Sequence, residues 1–297
     1  ALRLDGRPSD AMVAAQRALQ LNHSYGEANN NLGLAFCDLR RYPEAIRCFE
    51  SAIDIDANNL EALNNLGVAL DAKGDLEKSL RIFERALILS PQNIDTKINL
   101  GNLFRKIGRL DEAAAQFSEV LDYNQADLRA HANLGLTLIT QNRPEEAIVR
   151  YEKALALAPE TPDIRMSLGI AQLMLGDFEA GWQNYEARWL APSFAIKRRS
   201  LASELWTGQS LEGKSILVYA EQGFGDTIQF VPYVPMIAKQ AGQVVFECQK
   251  ALLRICSKLE GVSEVVARGD FLPQTDFHIP LMSLPHRMDT RIESLPL

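Results

Sequence analysis

The pair Leu-Gly recurs every 34 residues along the first two thirds of the chain. It stands at Leu32-Gly33, Leu66-Gly67, Leu100-Gly101, Leu134-Gly135 and Leu168-Gly169. A small residue follows each leucine after thirteen positions, and an aromatic residue follows it after seventeen. A fixed period of this length is typical of arrays in which each repeat is a helical hairpin that buries its apolar face against the next hairpin.

Each repeat predicts two amphipathic helices, which run over about 60–73 and 77–89 in the repeat that fits best. The small residues Gly67 and Ser79 would let these two helices approach closely beside the ring of Phe83. Three glycines fall at the turn between the helices: Gly74, Gly108 and Gly176. A left-handed residue, most often glycine, commonly ends a helix at such a position.

This pattern resembles the tetratricopeptide-repeat (TPR) family over about residues 1–190. The resemblance implies an all-α superhelix whose concave face binds a protein or peptide. In this register, residues 8–21 are the second helix of an incomplete repeat, and a further helix is expected upstream. The fifth repeat departs from the pattern at Arg188, where the earlier repeats carry Ala or Val, and we expect it to be a cap that docks on the following domain.

An asparagine precedes the Leu-Gly pair in four successive repeats: Asn31, Asn65, Asn99 and Asn133. A column of primary amides, each with donors and an acceptor, would grip the main chain of an extended peptide without reading its side chains. The repeat array of O-GlcNAc transferase carries such an asparagine ladder, and these four residues resemble it in position. Neighbouring amides would widen the column: Asn30, Asn64 and Asn102. The alternative is that the amides bond to a neighbouring helix or to water.

The hydrophobic period changes after residue 190. Residues 191–213 are predicted to be a linker that packs on the next domain through Trp206. Strands are then predicted over 215–220, 243–248, 263–267 and 277–279. A helix interrupted by Pro232 and Pro235 is predicted over 227–240, and a second helix over 250–259. This alternation predicts a parallel, Rossmann-like sheet over residues 214–297.

A loop with two glycines, residues 221–226, follows the first of these strands. It lacks the third glycine of a dinucleotide-binding fingerprint and the Gly-Lys-Ser/Thr of a Walker loop. Gly223 and Gly225 would let the backbone approach a ligand closely. Asp226 would cap a helix that begins at Thr227, with Gln229 completing a capping-box-like arrangement.

An ordered set of motifs resembles bacterial TPR-linked glycosyltransferases related to the lipopolysaccharide heptosyltransferases. The set is Trp206-x-Gly208, Glu221-Gln222-Gly223-x-Gly225-Asp226-Thr227 and Asp276-Phe277-His278 through to Ser283. The resemblance covers about 205–297 and implies the acceptor-binding first half of a GT-B fold, the second half of which binds the nucleotide sugar. Since only the first half is present, this chain is expected neither to bind a nucleotide sugar tightly nor to turn over.

By the same resemblance, Asp226 is the general base that takes the proton of the acceptor hydroxyl. The resemblance also implies substrate-binding residues: Gln222, Gly223, Gly225, His278 and Ser283. Two alternatives stay open, namely that Asp226 is only a helix cap and that His278 is a structural histidine.

The net charge of the chain is -7, and all of it lies within residues 1–190, which disfavours a nucleic-acid partner. No apolar run is long enough to span a membrane, and the absence of an export signal predicts a cytoplasmic protein. The four cysteines form no C-x-x-C pair, so no metal site or cofactor is expected.

Three functions remain open. The first is TPR-mediated binding of a protein acceptor in a bacterial glycosyltransferase that uses a nucleotide sugar. The second is a TPR adaptor without enzymatic activity. The third is a heptosyltransferase-like enzyme that acts on lipopolysaccharide or another glycan.

Overall fold

The computed structural model describes residues 6–295, and the chain divides into two compact units after Leu157. The predicted boundaries at 190 and 213 follow the sequence period, whereas the contacts group residues 158–190 with the sheet. No helix in residues 6–295 has the length and apolar character needed to cross a membrane.

The first unit consists of helices joined by short turns. Their bounds are α1 Pro8–Leu21, α2 Gly26–Asp38, α3 Tyr42–Ile55, α4 Leu60–Lys73, α5 Leu76–Leu89, α6 Ile94–Lys106, α7 Leu110–Tyr123, α8 Leu128–Thr140 and α9 Pro144–Leu157. Helix α1 is the second helix of an incomplete repeat, and four complete hairpins follow it. The predicted bounds of α4 and α5 agree with the structure to within one residue.

The helix ends repeat with the same spacing as the helices. The side chain of Asn59 accepts a hydrogen bond from the N–H of Ala62 at 2.9 Å, and Asn93 and Asp127 cap α6 and α8 in the same way. One residue after each first helix has a positive φ: Arg40, Gly74, Gly108, Asn142 and Gly176. The left-handed turn is therefore confirmed at the three predicted glycines, and two other residue types adopt it in the remaining repeats.

An aromatic ring packs directly on the glycine of each Leu-Gly pair in the first four hairpins. A Cβ atom added to Gly67 would lie closer than 3.0 Å to the ring of Phe83, a separation that real Cβ atoms do not show. The same holds for Gly33 with Phe49, Gly101 with Phe117 and Gly135 with Tyr151. Ser79 reinforces the approach, since its hydroxyl donates to the carbonyl of Gly67 at 2.7 Å. Only glycine fits where the two helices of a hairpin come this close.

Successive first helices of the hairpins contact one another, because α2 touches α4, α4 touches α6 and α6 touches α8. Successive second helices are in less extensive contact. The first unit therefore curves, with its first helices along the inner side, as expected of such a superhelix.

The second unit begins with a fifth hairpin, α10 Pro162–Met174 and α11 Phe178–Tyr185, and a 3-10 turn, Glu186–Trp189. Its strands are β1 Glu204–Leu205, β2 Ser215–Tyr219, β3 Gln243–Cys248, β4 Glu264–Ala267 and β5 Phe277–Pro280. Its remaining helices are α12 Phe224–Phe230, α13 Tyr233–Ala238, α14 Leu253–Cys256 and α15 Leu284–Arg287. All strand pairs are parallel, in the order β1-β5-β2-β3-β4.

Two predicted helices have wrong bounds. The helix predicted over 227–240 begins at Phe224 and ends at Ala238. The predicted interruption at Pro232 divides it into α12 and α13, since Pro232 cannot donate the hydrogen bond that would continue α12, whereas Pro235 lies within α13. The helix predicted over 250–259 is a 3-10 turn followed by the single turn α14, which ends at Cys256. The segment predicted as a linker also contributes β1, which pairs with β5.

One face of the sheet forms the core of the second unit with α12, α13 and the fifth hairpin. Trp182 of α11 lies edge-on to Phe230 of α12, with ring centroids 5.6 Å apart. Trp206 is buried in the same cluster, together with Val218 and Phe246 of the sheet. The expectation that the fifth repeat docks on the following domain is therefore confirmed.

Candidate functional site

Asn65 and Asn99 link successive first helices through their side-chain amides. Nδ2 of Asn65 donates to Oδ1 of Asn30, and Nδ2 of Asn99 donates to Oδ1 of Asn64, both at 3.0 Å. Each bond joins residues 35 positions apart, that is, neighbouring hairpins. Two of the four predicted ladder residues thus bond to a neighbouring helix, and Asn30 and Asn64 are their partners.

A carboxylate sets the direction of the first amide pair. Nδ2 of Asn30 donates to Oε1 of Glu61 at 2.8 Å, and a carboxylate can only accept. Asn30 must therefore turn its Oδ1 towards Asn65, and Asn65 must donate. The carbonyl oxygen of Asn65 and one of its N–H bonds lie outside this pair, in a side chain whose orientation is fixed.

Asn31 and Asn133 occupy the equivalent positions in the first and fourth complete hairpins. Asn31 is exposed and Asn133 is half-buried, and neither side chain hydrogen-bonds to another described residue. The residue that would pair with Asn133 is Ile98, which has no side-chain acceptor. Asn102 accepts a long hydrogen bond, 3.4 Å, from Arg105 of its own helix.

In the second unit, the strand order places the loops after β2 and β5 next to each other at the carboxyl edge of the sheet. The chain runs outwards from β2 to β3 and β4 and then returns to β5 on the other side of β2. Ligands of open parallel sheets bind at such a reversal of strand order. The loop 221–226 and the 3-10 turn Leu281–Ser283 lie there.

A buried ion cluster ties the fifth hairpin to both of these loops. Arg188 is 1% exposed, and its guanidinium lies 2.5 Å from Glu186, 2.8 Å from the hydroxyl of Ser283 and 3.3 Å from Glu221. The carboxylate of Glu221 also accepts from the N–H of Met282 at 3.2 Å. Burial raises the pKa of Glu221, and the neighbouring Arg188 opposes that rise.

Ser283 uses both polar functions of its hydroxyl inside this cluster. It accepts from Arg188 and donates to Glu186 at 2.7 Å, and the residue is 3% exposed. In this arrangement it holds the loop after β5 in place. Its role in substrate binding stays a prediction.

Asp226 lies at the third position of α12 rather than at the residue before the helix. The helix begins at Phe224, and Oδ2 of Asp226 accepts from the N–H of Gly223 at 3.1 Å. The predicted cap at the start of a helix from Thr227 is therefore wrong in position, because the N–H of Thr227 already bonds to the carbonyl of Gly223 at 3.1 Å. Asp226 still satisfies one of the free donors at the helix start, through a single carboxylate oxygen.

The loop 221–226 is hydrogen-bonded to neighbouring residues at Gln222 and exposed to solvent at its two glycines. The side-chain amide of Gln222 donates to the hydroxyl of Tyr185 at 3.0 Å, and the backbone carbonyl oxygen of Gln222 accepts from the side-chain amide of Gln249 at 2.8 Å. Gly223 and Gly225 are exposed, and a Cβ atom on Gly225 would meet nothing within 4 Å. Three predicted substrate-binding residues thus lie beside Asp226.

His278 lies apart from this loop, within β5. It is 5% exposed, and its Nδ1 lies 3.2 Å from the hydroxyl of Ser203. Burial lowers the pKa of His278. This environment fits the alternative of a structural histidine.

Comparison with known families identifies the repeat. Models described as tetratricopeptide repeat match residues 24–92 and 70–135, and a model described as TPR repeat matches 137–176. Residues 24–176 belong to the tetratricopeptide-repeat family. The TPR assignment made from the Leu-Gly period is thereby confirmed for this segment.

Individual proteins resemble the TPR segment in sequence and fold. Protein FlbA of Caulobacter vibrioides is 34% identical over 70 residues, which are 24% of this chain and only 12% of FlbA. A thermophilic TPR protein of Thermus thermophilus is 24% identical, with a TM-score of 0.51, and the match covers 58% of this chain and 94% of that protein. A double mutant of MamA from strain RS-1 is 23% identical, with a TM-score of 0.50, over 55% of this chain and 91% of MamA. These structures share the TPR fold.

Apart from Ser283, the residues of the Arg188 cluster were not predicted as part of a site. Its one signal in the sequence is the break in the TPR pattern, where Arg188 replaces the small residue of the column. Glu186 carries no motif, Glu221 was noted only as the first residue of the loop 221–226 and of its motif, and the sheet topology alone brings them together.

Proposed function

We propose that the TPR array binds an extended polypeptide along its inner side, through the amide column Asn31, Asn65, Asn99 and Asn133. We further propose that the polypeptide is the acceptor of a glycosyltransferase of which the α/β unit is the acceptor half of a GT-B fold. In this reaction Asp226 takes the proton of an acceptor hydroxyl, and a nucleotide sugar supplies the sugar.

The observation that carries the proposal is the fixed orientation of Asn65 and Asn99. Each donates one N–H to the preceding hairpin, and its carbonyl oxygen and second N–H remain available for a partner. A main chain presents the complementary N–H and C=O groups at every residue. Amides that are held in place lose little side-chain entropy when they bind, which favours recognition of a peptide backbone.

Selection of peptides from a random library on the chain tests the binding step. We expect the enriched peptides to bind in a sequence-tolerant way and to lose affinity when alternate backbone nitrogens are methylated. Asn65→Ala and Asn99→Ala should weaken binding of the same peptide by about tenfold each, as loss of hydrogen bonds in an interface does. Asn58→Ala is the matched control, since Asn58 is exposed in the turn before α4.

Two results would contradict peptide binding by the amide column. One is that the peptides still bind after backbone methylation, and the other is that Asn65→Ala binds the peptide as tightly as the control Asn58→Ala does.

The transfer step is tested in the native host with a protein in which this chain is joined to a donor-binding half, since the chain alone is expected not to turn over. The readout is the intact mass of a co-produced carrier that displays the selected peptide. We expect sugar-sized increments with the wild type and none with Asp226→Asn, while the peptide affinity stays unchanged. Mass increments that persist in Asp226→Asn would exclude Asp226 as the general base. Their absence with the wild type would favour the adaptor, and increments on lipopolysaccharide instead would favour the heptosyltransferase-like reaction.

A further inference from the structure

A cavity of about 330 Å³ opens at the carboxyl ends of the central strands of the sheet. We name it the sheet-edge pocket. It is lined by the segment 196–199, the ends of β2 and β3 and the turn after β4, and its polar side chains are those of Lys197, Arg199, Tyr219, Glu221, Glu247 and Arg268. The volume is at the lower end of the range for small-molecule sites, about 300–1,000 Å³.

The pocket lies on the face of the sheet opposite α12 and α13. Val218 and Phe246 pack on those helices, and side chains alternate between the faces along a strand. Tyr219 and Glu247 therefore point to the other face. The pocket is thus separate from the Gly223–Asp226 loop and shares only Glu221 with the Arg188 cluster.

The charge of the lining is positive once its ion pairs are taken into account. Glu247 is 2% exposed and is paired with Arg199, while Glu221 is paired with Arg188, which does not line the pocket. Glu186 shares Arg188 with Glu221 and has Arg198 as a second partner, so both carboxylates of the lining are balanced by a cation. Lys197 and Arg268 make no ion pair with a described residue, so two positive charges remain for a ligand.

The two guanidinium groups are held in fixed positions. Arg199 lies 5.2 Å over the ring of Tyr219 in addition to its pairing with Glu247. Arg268 donates to the backbone carbonyl of Ala220. Planar guanidinium forks held in this way match the oxygen geometry of a phosphoryl group better than flexible ammonium groups do.

The hydroxyl of Tyr219 adds a donor. The side chain is 1% exposed, and its oxygen makes no hydrogen bond of good geometry with the described residues. The backbone N–H of Arg199 is close to this oxygen, but the O–H has no acceptor among the described residues. A buried donor without an acceptor is unfavourable, and an acceptor oxygen of a ligand would relieve that.

We propose that the sheet-edge pocket binds a phosphoryl group of a small ligand, held by Lys197, Arg199, Arg268 and the hydroxyl of Tyr219. A phosphate monoester carries a charge of about -1.5 to -2 at neutral pH, which matches the two uncompensated cations. The carboxyl edge of a parallel sheet is where such ligands bind. The site stands independently of the peptide-binding function of the TPR array.

Isothermal titration of the whole chain with inorganic phosphate and with pyrophosphate, at constant ionic strength, tests the site. Citrate serves as the carboxylate probe. We expect both phosphate probes to bind one site and citrate to bind at least about tenfold more weakly. The double variant Lys197→Gln/Arg268→Gln should weaken pyrophosphate binding by about tenfold or more, since two charge-assisted hydrogen-bond donors are lost.

The control Arg254→Gln/Lys258→Gln makes the same change in charge at exposed positions in and just after α14, away from the pocket. It should bind pyrophosphate within about twofold of the wild type, because surface charges at a distance are screened. Tyr219→Phe removes only the hydroxyl from a buried ring and should weaken binding while leaving the melting temperature near that of the wild type.

Absence of pyrophosphate binding at millimolar concentration would overturn the proposal. So would equal weakening in both double variants, since that would reflect the general charge of the surface. The proposal would also be overturned if Tyr219→Phe and the double variant Lys197→Gln/Arg268→Gln each bound pyrophosphate as tightly as the wild type does. That outcome is independent of any result on peptide binding.

Discussion

Nη2 of Arg188 donates a hydrogen bond of 2.8 Å to Oγ of Ser283, 95 positions further along the chain. The bond joins the fifth TPR hairpin to the loop after the last strand. Because Glu186 and Glu221 also pair with this guanidinium, its removal would leave the buried carboxylate of Glu221 without its counter-ion and Glu186 with only the distant Arg198.

We therefore expect Arg188→Ala to lower the free energy of unfolding of the second unit by about 3–5 kcal/mol. All three tryptophans, Trp182, Trp189 and Trp206, lie in that unit, so urea unfolding followed by tryptophan fluorescence reports on it. Arg198→Ala is the control, since Arg198 is 38% exposed and pairs with Glu186 only at 3.6 Å; its effect should be below about 1 kcal/mol. A similar loss in both variants would argue against the buried cluster.

Gly67→Ala should destabilise the first unit by about 1–3 kcal/mol, because the added methyl group would overlap the ring of Phe83. Thermal and urea unfolding followed by far-UV circular dichroism measures this. Phe83→Leu in the same chain should recover part of the loss. Gly26→Ala is the comparison, since its Cβ would find its nearest atom at 3.7 Å, an ordinary contact. An unchanged free energy of unfolding in Gly67→Ala would show that the two helices can move apart without loss of stability.

Arg40→Gly should stabilise the first unit by about 1 kcal/mol. Arg40 has a φ of 56°, in the left-handed region that costs a residue with a side chain about 1–2 kcal/mol. Gly74 holds the same position in the next repeat with a φ of 95°, so Gly74→Arg should destabilise by a similar amount. The two melting temperatures should shift in opposite directions, and a shift in the same direction would contradict the equivalence of the turns.

Asn65→Ala should cost about 1 kcal/mol of stability, because it leaves Oδ1 of Asn30 without its donor. Asn31→Ala should cost almost nothing, since the Asn31 side chain is exposed. Both substitutions remove a member of the amide column. Chemical unfolding of the two variants therefore separates the structural role of the amides from their role in binding.

The stability of the first unit should fall as the pH drops below 6.5, partly because of His131. This residue is 3% exposed, and burial lowers its pKa from the ordinary 6.5. The unfolded chain then binds a proton at a higher pH than the folded one, so stability is lost as the pH falls from 6.5 through the folded-state pKa. His131→Gln should flatten the profile between about pH 6.5 and 5, above the range in which most carboxylates titrate. Identical profiles for variant and wild type would exclude this contribution.

Features that recur in every repeat were predictable from the sequence. The contact of Gly67 with Phe83 and the left-handed turn at Gly74 follow from residue types that recur at equivalent positions of several repeats, so each repeat supports the prediction made for the others. The recurrence of one asparagine per repeat was visible as well, and its role in peptide binding stays a prediction. Bonding of the amides to a neighbouring helix was one of the alternatives, but the choice of Asn30 as the partner of Asn65 was not predictable, because it depends on the rise and twist between neighbouring hairpins. The doubled asparagines at 30–31 and 64–65 were the available signal.

Features that occur once were harder to predict. The start of α12 at Phe224 was missed because Gly-Phe-Gly contains poor helix formers, while Asp226 looks like a local cap. The two-residue strand β1 has too few residues to show a period. Arg188 was visible as an irregularity, yet its partners lie in loops that only the order of the strands brings together.

The fifth hairpin shares the 34-residue period of the others but belongs, by its contacts, to the second unit. This difference bears on how such chains can change length. Duplication or deletion of one complete hairpin between α2 and α9 adds or removes one amide of the column and repeats contacts that already exist. The same event within residues 158–190 would remove Trp182 and Arg188 from the interior that they fill. Variation in repeat number among related proteins should therefore concentrate before residue 158, with the last hairpin inherited together with the sheet.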